Sequence, residues 1–175
     1  MIVIVIIAVL ILAVARSLNG STDEPRAQML VKTASNFTSN WTLIAAKCSV
    51  SQTVAGSAIP VSGKNALDVV IEGDSAVAPA YKECYAKSSA RALREVANKN
   101  GAGWQVESYP VTLTGGGPNS KLIVTYQRVP DEVVLKMAQG FTTNLNALAS
   151  SDTTSDVLQY SAAAANLRSV MVRLD

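Results

Sequence analysis

Cys48 and Cys84 are the residues of this 175-residue chain best suited to covalent chemistry. They have neither CxxC spacing nor a neighbouring His or Cys, so the ligand sets of zinc sites and thioredoxin-like centres are missing. Two readings stay open for them. A disulfide would restrict the unfolded chain by about 4 kcal/mol in an oxidising compartment, and reduced thiols would serve as small buried apolar side chains. The chain contains no histidine, which removes the commonest general base and the commonest metal ligand together. Ser, Lys and carboxylates are scattered without a nucleophile-and-base motif, so no catalytic residue, metal ligand or cofactor is expected and the chain reads as a non-enzyme. Gly115-Gly116-Gly117-Pro118-Asn119-Ser120 lacks the GxxxxGK[ST] phosphate-loop pattern and a following helix, and reads as a turn. With a net charge of +2 and 16% charged residues there is no basic stripe, hence no direct nucleic-acid site. Asn36-Phe37-Thr38 and Asn40-Trp41-Thr42 match the N-glycosylation pattern by chance, because both fall in an expected helix that turns Phe37 and Trp41 inward.

With little reactive chemistry to place, the elements themselves carry the argument. Residues 1–15 read MIVIVIIAVLILAVA, without charge until Arg16. Such a run is unstable in water unless lipid or protein covers every face. As a helix it reaches about 22 Å, short of the roughly 30 Å hydrocarbon core, so alone it is a poor span. Ala13-Val14-Ala15 has the small-x-small pattern of a signal-peptide cleavage site, but no Lys or Arg precedes the run, and retention is the expectation.

Residues 17–25, SLNGSTDEP, break helical propensity, so a melted or kinked segment is expected around Asn19, Gly20 and Pro25. Asp23 and Glu24 ahead of Pro25 suit a helix restarting there. Two parts follow: 1–24, the apolar helix and break, and 25–175, an amphipathic helix with a globular head. From Ala27 through Leu30, Ala34, Phe37, Trp41, Ile44 and Cys48, spacings of three and four mark one apolar stripe. Leu30, Phe37, Trp41 and Ile44 are its expected contacts with the head.

In the head, residues 67–71 (LDVVI) read as a strand and 80–98 as a helix. Residues 104–114 and 121–129 read as a hairpin, with Pro110 at an edge or bulge. A helix opens at Asp131 with Val134, Met137, Phe141, Leu145 and Leu148 on one face, its apolar side on the sheet. Residues 169–174 return as a final strand after a Ser/Thr/Asp loop and an Ala-rich stretch. Trp41 and Trp104 are both expected in the core.

Met1-Ile2-Val3-Ile4-Val5-Ile6-Ile7 resembles the apolar core of type IV pilin N-termini, where a Glu-Leu pair commonly precedes Met-Ile-Val-Ile. Residues 122–138, LIVTYQRVPDEVVLKMA, look like the strand-then-helix segment of type IVb pilins, including bundle-forming pilins and those of thin conjugative pili. Val170-Met171-Val172-Arg173-Leu174 sits where those pilins end in a sheet strand. The chain departs from them in having Val134 where a helix cysteine is usual, no cysteine near the C-terminus, and no acid in residues 1–15.

The resemblance implies an α+β type IV pilin fold: a long N-terminal helix packed against an antiparallel sheet, with additional head helices. It implies a structural subunit that sits in the bacterial inner membrane and then polymerises with identical subunits into an extracellular fimbrium. Ile2, Val3, Ile4, Val5, Ile6, Ile7, Val9, Leu10, Ile11, Leu12 and Val14 would pack the filament core. Asn19, Gly20 and Pro25 would form a hinge able to lengthen under load, the other reading of the segment being a plain linker from membrane to head. A prepilin peptidase and an inner-membrane assembly machinery are the implied partners, with adhesion and conjugation among the uses. The alternative is a minor pilin, a pseudopilin or a membrane-anchored binding domain that does not form the bulk filament.

Overall fold

The computed structural model describes residues 2–101, 103–117, 120–142 and 145–174, and the side chains of residues 2–21 lie outside that description. Its first element is a single helix, α1 (Ile2–Lys47), about 69 Å long at 1.5 Å per residue. Ala27, Leu30, Ala34, Phe37, Trp41 and Ile44 are all buried along it, as their spacing predicts. The helix closes with Ser49 in the left-handed region (φ 55°). There Val50 N–H donates to Ala45 O (3.0 Å) and Ser49 N–H to Ala46 O (3.2 Å), satisfying carbonyls the helix would leave open.

The expected interruption over residues 17–25 is corrected by this helix, which runs on through Asn19, Gly20 and Pro25. Proline in a helix interior costs about 3 kcal/mol and glycine about 1. A break would instead impose a second nucleation. Ala27 and Leu30, buried just beyond Pro25, hold the next turn in helical geometry.

After the helix come α2 (Ala66–Glu72), 3-10 turns at Gly73–Ala76 and Pro79–Tyr81, and α3 (Lys82–Ala86). Residues 67–71 are therefore helix rather than strand. Asn65 caps the turn: Asp68 N–H donates to Asn65 Oδ1 (3.1 Å) and Asn65 N–H to Asp68 Oδ2 (2.8 Å). Every residue from Ala66 to Ile71 is buried, so the cap and all-round burial override β-branched propensity. The expected helix over 80–98 shrinks to α3. Ser88 Oγ turns back to donate to Tyr85 O (2.7 Å), and Ser89 takes a left-handed φ of 60° that ends the helix.

The sheet has strands β1 (Asn98–Asn100), β2 (Gly103–Val106), β3 (Tyr109–Gly115), β4 (Leu122–Pro130), β5 (Leu158–Tyr160) and β6 (Leu167–Leu174). It is antiparallel throughout in the order β1-β2-β3-β4-β6-β5, so the last strand enters between β4 and β5. The expected strand 104–114 is two strands joined by a turn at Glu107, whose φ is 54°. β3 and β4 form the expected hairpin. Pro110 pairs with Gln105 in the second pair from a two-residue turn, so its nitrogen points away from β2. It lies just past the end of the β3–β4 ladder at Val111 and Tyr126, beside the irregularity between Tyr126 and Val129, where no donor is needed.

Burial alternates along β4 and β6, the signature of a sheet covered on one face. The helix α4 (Asp131–Phe141) packs beside α1, with Val133, Val134, Met137 and Ala138 buried. It ends at Phe141, so Leu145 and Leu148 lie in the following loop and pack on the core from there. The architecture is α+β, a long N-terminal helix with a six-stranded antiparallel sheet.

Candidate functional site

Leu30, Phe37, Trp41 and Ile44, grouped by the sequence as head contacts, come together in the core, each no more than 1% exposed. Two polar ties fix the buried stripe, one at Leu30 and one at Trp41. Tyr126 Oη on β4 donates to Leu30 O (2.8 Å), and burial pushes the Tyr126 hydroxyl pKa far above its ordinary value, keeping it a donor. Trp41 Nε1 donates to Gln52 O (2.7 Å). Trp104, by contrast, is half-buried: Nε1 donates to Asp68 Oδ1 (3.0 Å) while the Lys99 ammonium lies 5.2 Å from its ring centroid.

Cys48 and Cys84 form a disulfide, with Cα atoms 5.0 Å apart. It joins the end of α1 to α3. A charged cluster that sequence spacing did not reveal draws Lys64 and Glu72, inside the disulfide loop, together with Arg94 and Lys99 beyond it. The Glu72 carboxylate accepts from Lys64 Nζ (2.8 Å) and Lys99 Nζ (3.1 Å). The hydrogen bond from Lys64 is the main cause holding the Glu72 carboxyl below the usual carboxylate range. Arg94 adds a donor to Glu72 O at 2.6 Å. The cluster knits α2 to β1, and Lys64 also lines a cleft of about 390 Å³ together with Gly56, Asn65 and Gly115.

Gly115 and Gly116 belong to packing too. A Cβ on Gly116 would stand 2.2 Å from Gln52 O, and Gly116 has a φ of 76°. Val54 N–H donates to Gly115 O at 3.0 Å. The glycine turn is thus a seat for the segment after α1, and Pro118 and Asn119 lie outside the described residues.

The filament-core residues from Ile2 to Val14 have helical backbone, but their side chains lie outside the described residues. Among the described residues no helix is long and apolar enough to cross a membrane, and no group of three His, Cys, Asp or Glu could hold a metal ion.

Two clefts flank α4. The first, about 330 Å³, runs between α1 and α4; its apolar lining includes Val31, Met137, Gly140 and Phe141, and Lys32 and Lys136 stand at its walls. Neither lysine has an ion-pair partner among the described residues. The second, about 480 Å³, includes Ala138, Phe141, Thr142, Leu148, Asp152 and Ser155 in its lining. Positions 136 and 140 stand one turn apart on one flank of α4, and 138 lies about 200° around from 136 on the other. Phe141 is 42% exposed and lines both. No family model, no curated protein and no solved structure matches this chain.

Proposed function

We propose that this chain is a type IV pilin-like subunit, structural rather than catalytic, which polymerises into a surface filament through the apolar start of α1. The observation that carries the reading is the division of labour along one helix. Residues 2–15 are apolar on all faces, whereas from Ala27 only one stripe is apolar and the head buries it. A rod clamped to a domain at one end and needing cover all round at the other is what a helical polymer uses. At about 25 cal/mol per Å² of apolar surface, keeping the run out of water is a strong drive, although leaving lipid offsets much of it.

Three further features support it: the resemblance of residues 1–7 and 122–138 to type IV and type IVb pilins, the α+β architecture, and the disulfide, which suits an oxidising compartment. On this reading the membrane holds the subunit first, identical subunits cover α1 afterwards, and a prepilin peptidase and assembly machinery act between. Asn19, Gly20 and Pro25 are then weak points of a continuous helix, where load would open it first.

The test is to shear surface material from expressing cells, image it by electron microscopy, and repeat after deleting residues 2–12. Filaments that contain the protein and vanish in the deletion are the expected result. Membrane-bound protein without filaments would replace this reading with a minor pilin or anchored binding module, and soluble protein lacking residues 1–15 would sink both.

A further inference from the structure

We infer that the cleft between α1 and α4 receives the acidic loop at residues 150–157 of a second copy of this chain, making the lateral head-to-head contact of the assembly. The inference rests on the filament reading for its biological setting and on charge and shape for its content.

The receiving surface has a shape its own fold does not require. Gly140 occupies a helix position, where glycine costs about 1 kcal/mol against alanine, yet a Cβ there would meet nothing within 4 Å. The missing side chain opens the cleft to something outside it. Beside it Phe141 is 42% exposed, one of two large apolar side chains so exposed among the described residues. Lys32 and Lys136 also line it, and neither has an ion-pair partner among the described residues. Glu132, one turn before Lys136, is exposed and forms no ion pair with it. An occupant must bring carboxylate and a narrow tip.

The same chain carries such a tip on the opposite flank of α4. Asp152 Oδ1 accepts from Thr154 N–H (2.9 Å) and Ser155 N–H (3.1 Å), which fixes the loop as a tight turn and holds the Asp152 carboxyl below its ordinary pKa. Asp156 beside it is exposed, with no ion-pair partner among the described residues. Cationic cleft and acidic turn thus lie on two flanks of one helix. That is the arrangement of a heterologous contact, in which each copy receives one neighbour and inserts into the next, giving an open polymer or a ring. Opposite charges select that pairing and disfavour the cleft-to-cleft one.

The experiment uses the full chain in cells, with the photo-cross-linker p-benzoylphenylalanine at position 140. Expected are adducts between two copies that map to residues 150–157. Adducts mapping elsewhere, adducts with another protein, or none would overturn the inference. Lys136→Glu should lower the adduct yield by about tenfold through like-charge repulsion, and adding Asp156→Lys should restore it; lack of restoration would also overturn the contact. Filaments that depend on residues 2–12 but give no such adduct would leave the filament reading standing and remove this contact. The mapped adduct without filaments would keep the contact and remove the filament.

Discussion

Two long stretches of mostly irregular chain close back onto the core, and they are held by different physics. The first, residues 48–97, is stapled by the Cys48–Cys84 disulfide and stiffened inside by the capped α2. The second, residues 145–166, contains no cysteine. It is gathered by Arg168 of β6, 7% exposed. Arg168 Nε donates to Asp131 Oδ1 (2.8 Å), its Nη1 reaches Ser150 O (2.6 Å) and Ser161 O (2.9 Å), and its guanidinium lies 5.3 Å from the Tyr160 ring centroid. A covalent staple constrains the chain even when unfolded, whereas the arginine fan exists only once the fold has desolvated it. The first region is thus protected by chemistry, the second by geometry.

Breaking the staple is the largest expected effect. Replacing both cysteines, Cys48→Ser with Cys84→Ser, should cost about 4 kcal/mol in urea unfolding, from loop entropy returned to the unfolded chain. Reductant on the unaltered protein should raise protease cutting between residues 49 and 83 and leave 145–166 as resistant as before. Equal loosening of both regions would erase the distinction.

Arg168→Met comes next, at about 3 kcal/mol, because it leaves Asp131 and the carbonyls of Ser150 and Ser161 without their donor. Hydrogen exchange should quicken over 145–166 and hardly at all over 48–97. Arg168→Lys should recover little, since one ammonium cannot span Asp131 and both carbonyls in the fixed fork of a guanidinium.

The two regions also differ in how legible they were. Elimination narrowed the cysteines to a disulfide or two buried thiols, and spacing marked the stripe from Ala27 to Ile44, because a helix that buries one face must repeat every three or four residues. Arg168 gave no signal: an arginine in a strand is ordinarily solvated, and its partners Asp131 and Ser150 are distant in sequence. The cleft was hidden for the same reason, since Lys32 and Lys136 meet only when two helices about a hundred residues apart pack side by side. Residues 67–71 misled because β-branched side chains outweighed Asn65 and Asp68, a capping pair that was present in the sequence. The apolar marks over 80–98 fitted a helix on paper, but Ser88 and Ser89 turn the chain out of it.

That capping pair gives the next prediction. Asn65→Ala should cost about 1 kcal/mol by orphaning the Asp68 amide. The loss should be larger in the protein lacking the disulfide if staple and cap support the same turn, and a double-mutant cycle reads that coupling directly. Strict additivity would mean that α2 holds its place on burial alone.

The smallest effect concerns Glu72, and its sign follows from the lowered carboxyl pKa. In the unfolded chain a glutamate titrates near pH 4.3; in the fold its proton is bound less readily because Lys64 and Lys99 stabilise the anion. The stabilisation is therefore fully present above about pH 4.3 and is lost as pH falls through the lower folded value. Because Lys99 is 44% exposed in its side chain and Lys64 28%, water and salt screen the cluster, and its contribution should stay under about 1 kcal/mol. Glu72→Gln should flatten stability against pH in that acid window and leave exchange over 145–166 unchanged. If acid loosened the Arg168 region first, the order of protection drawn between the two regions would have to be reversed.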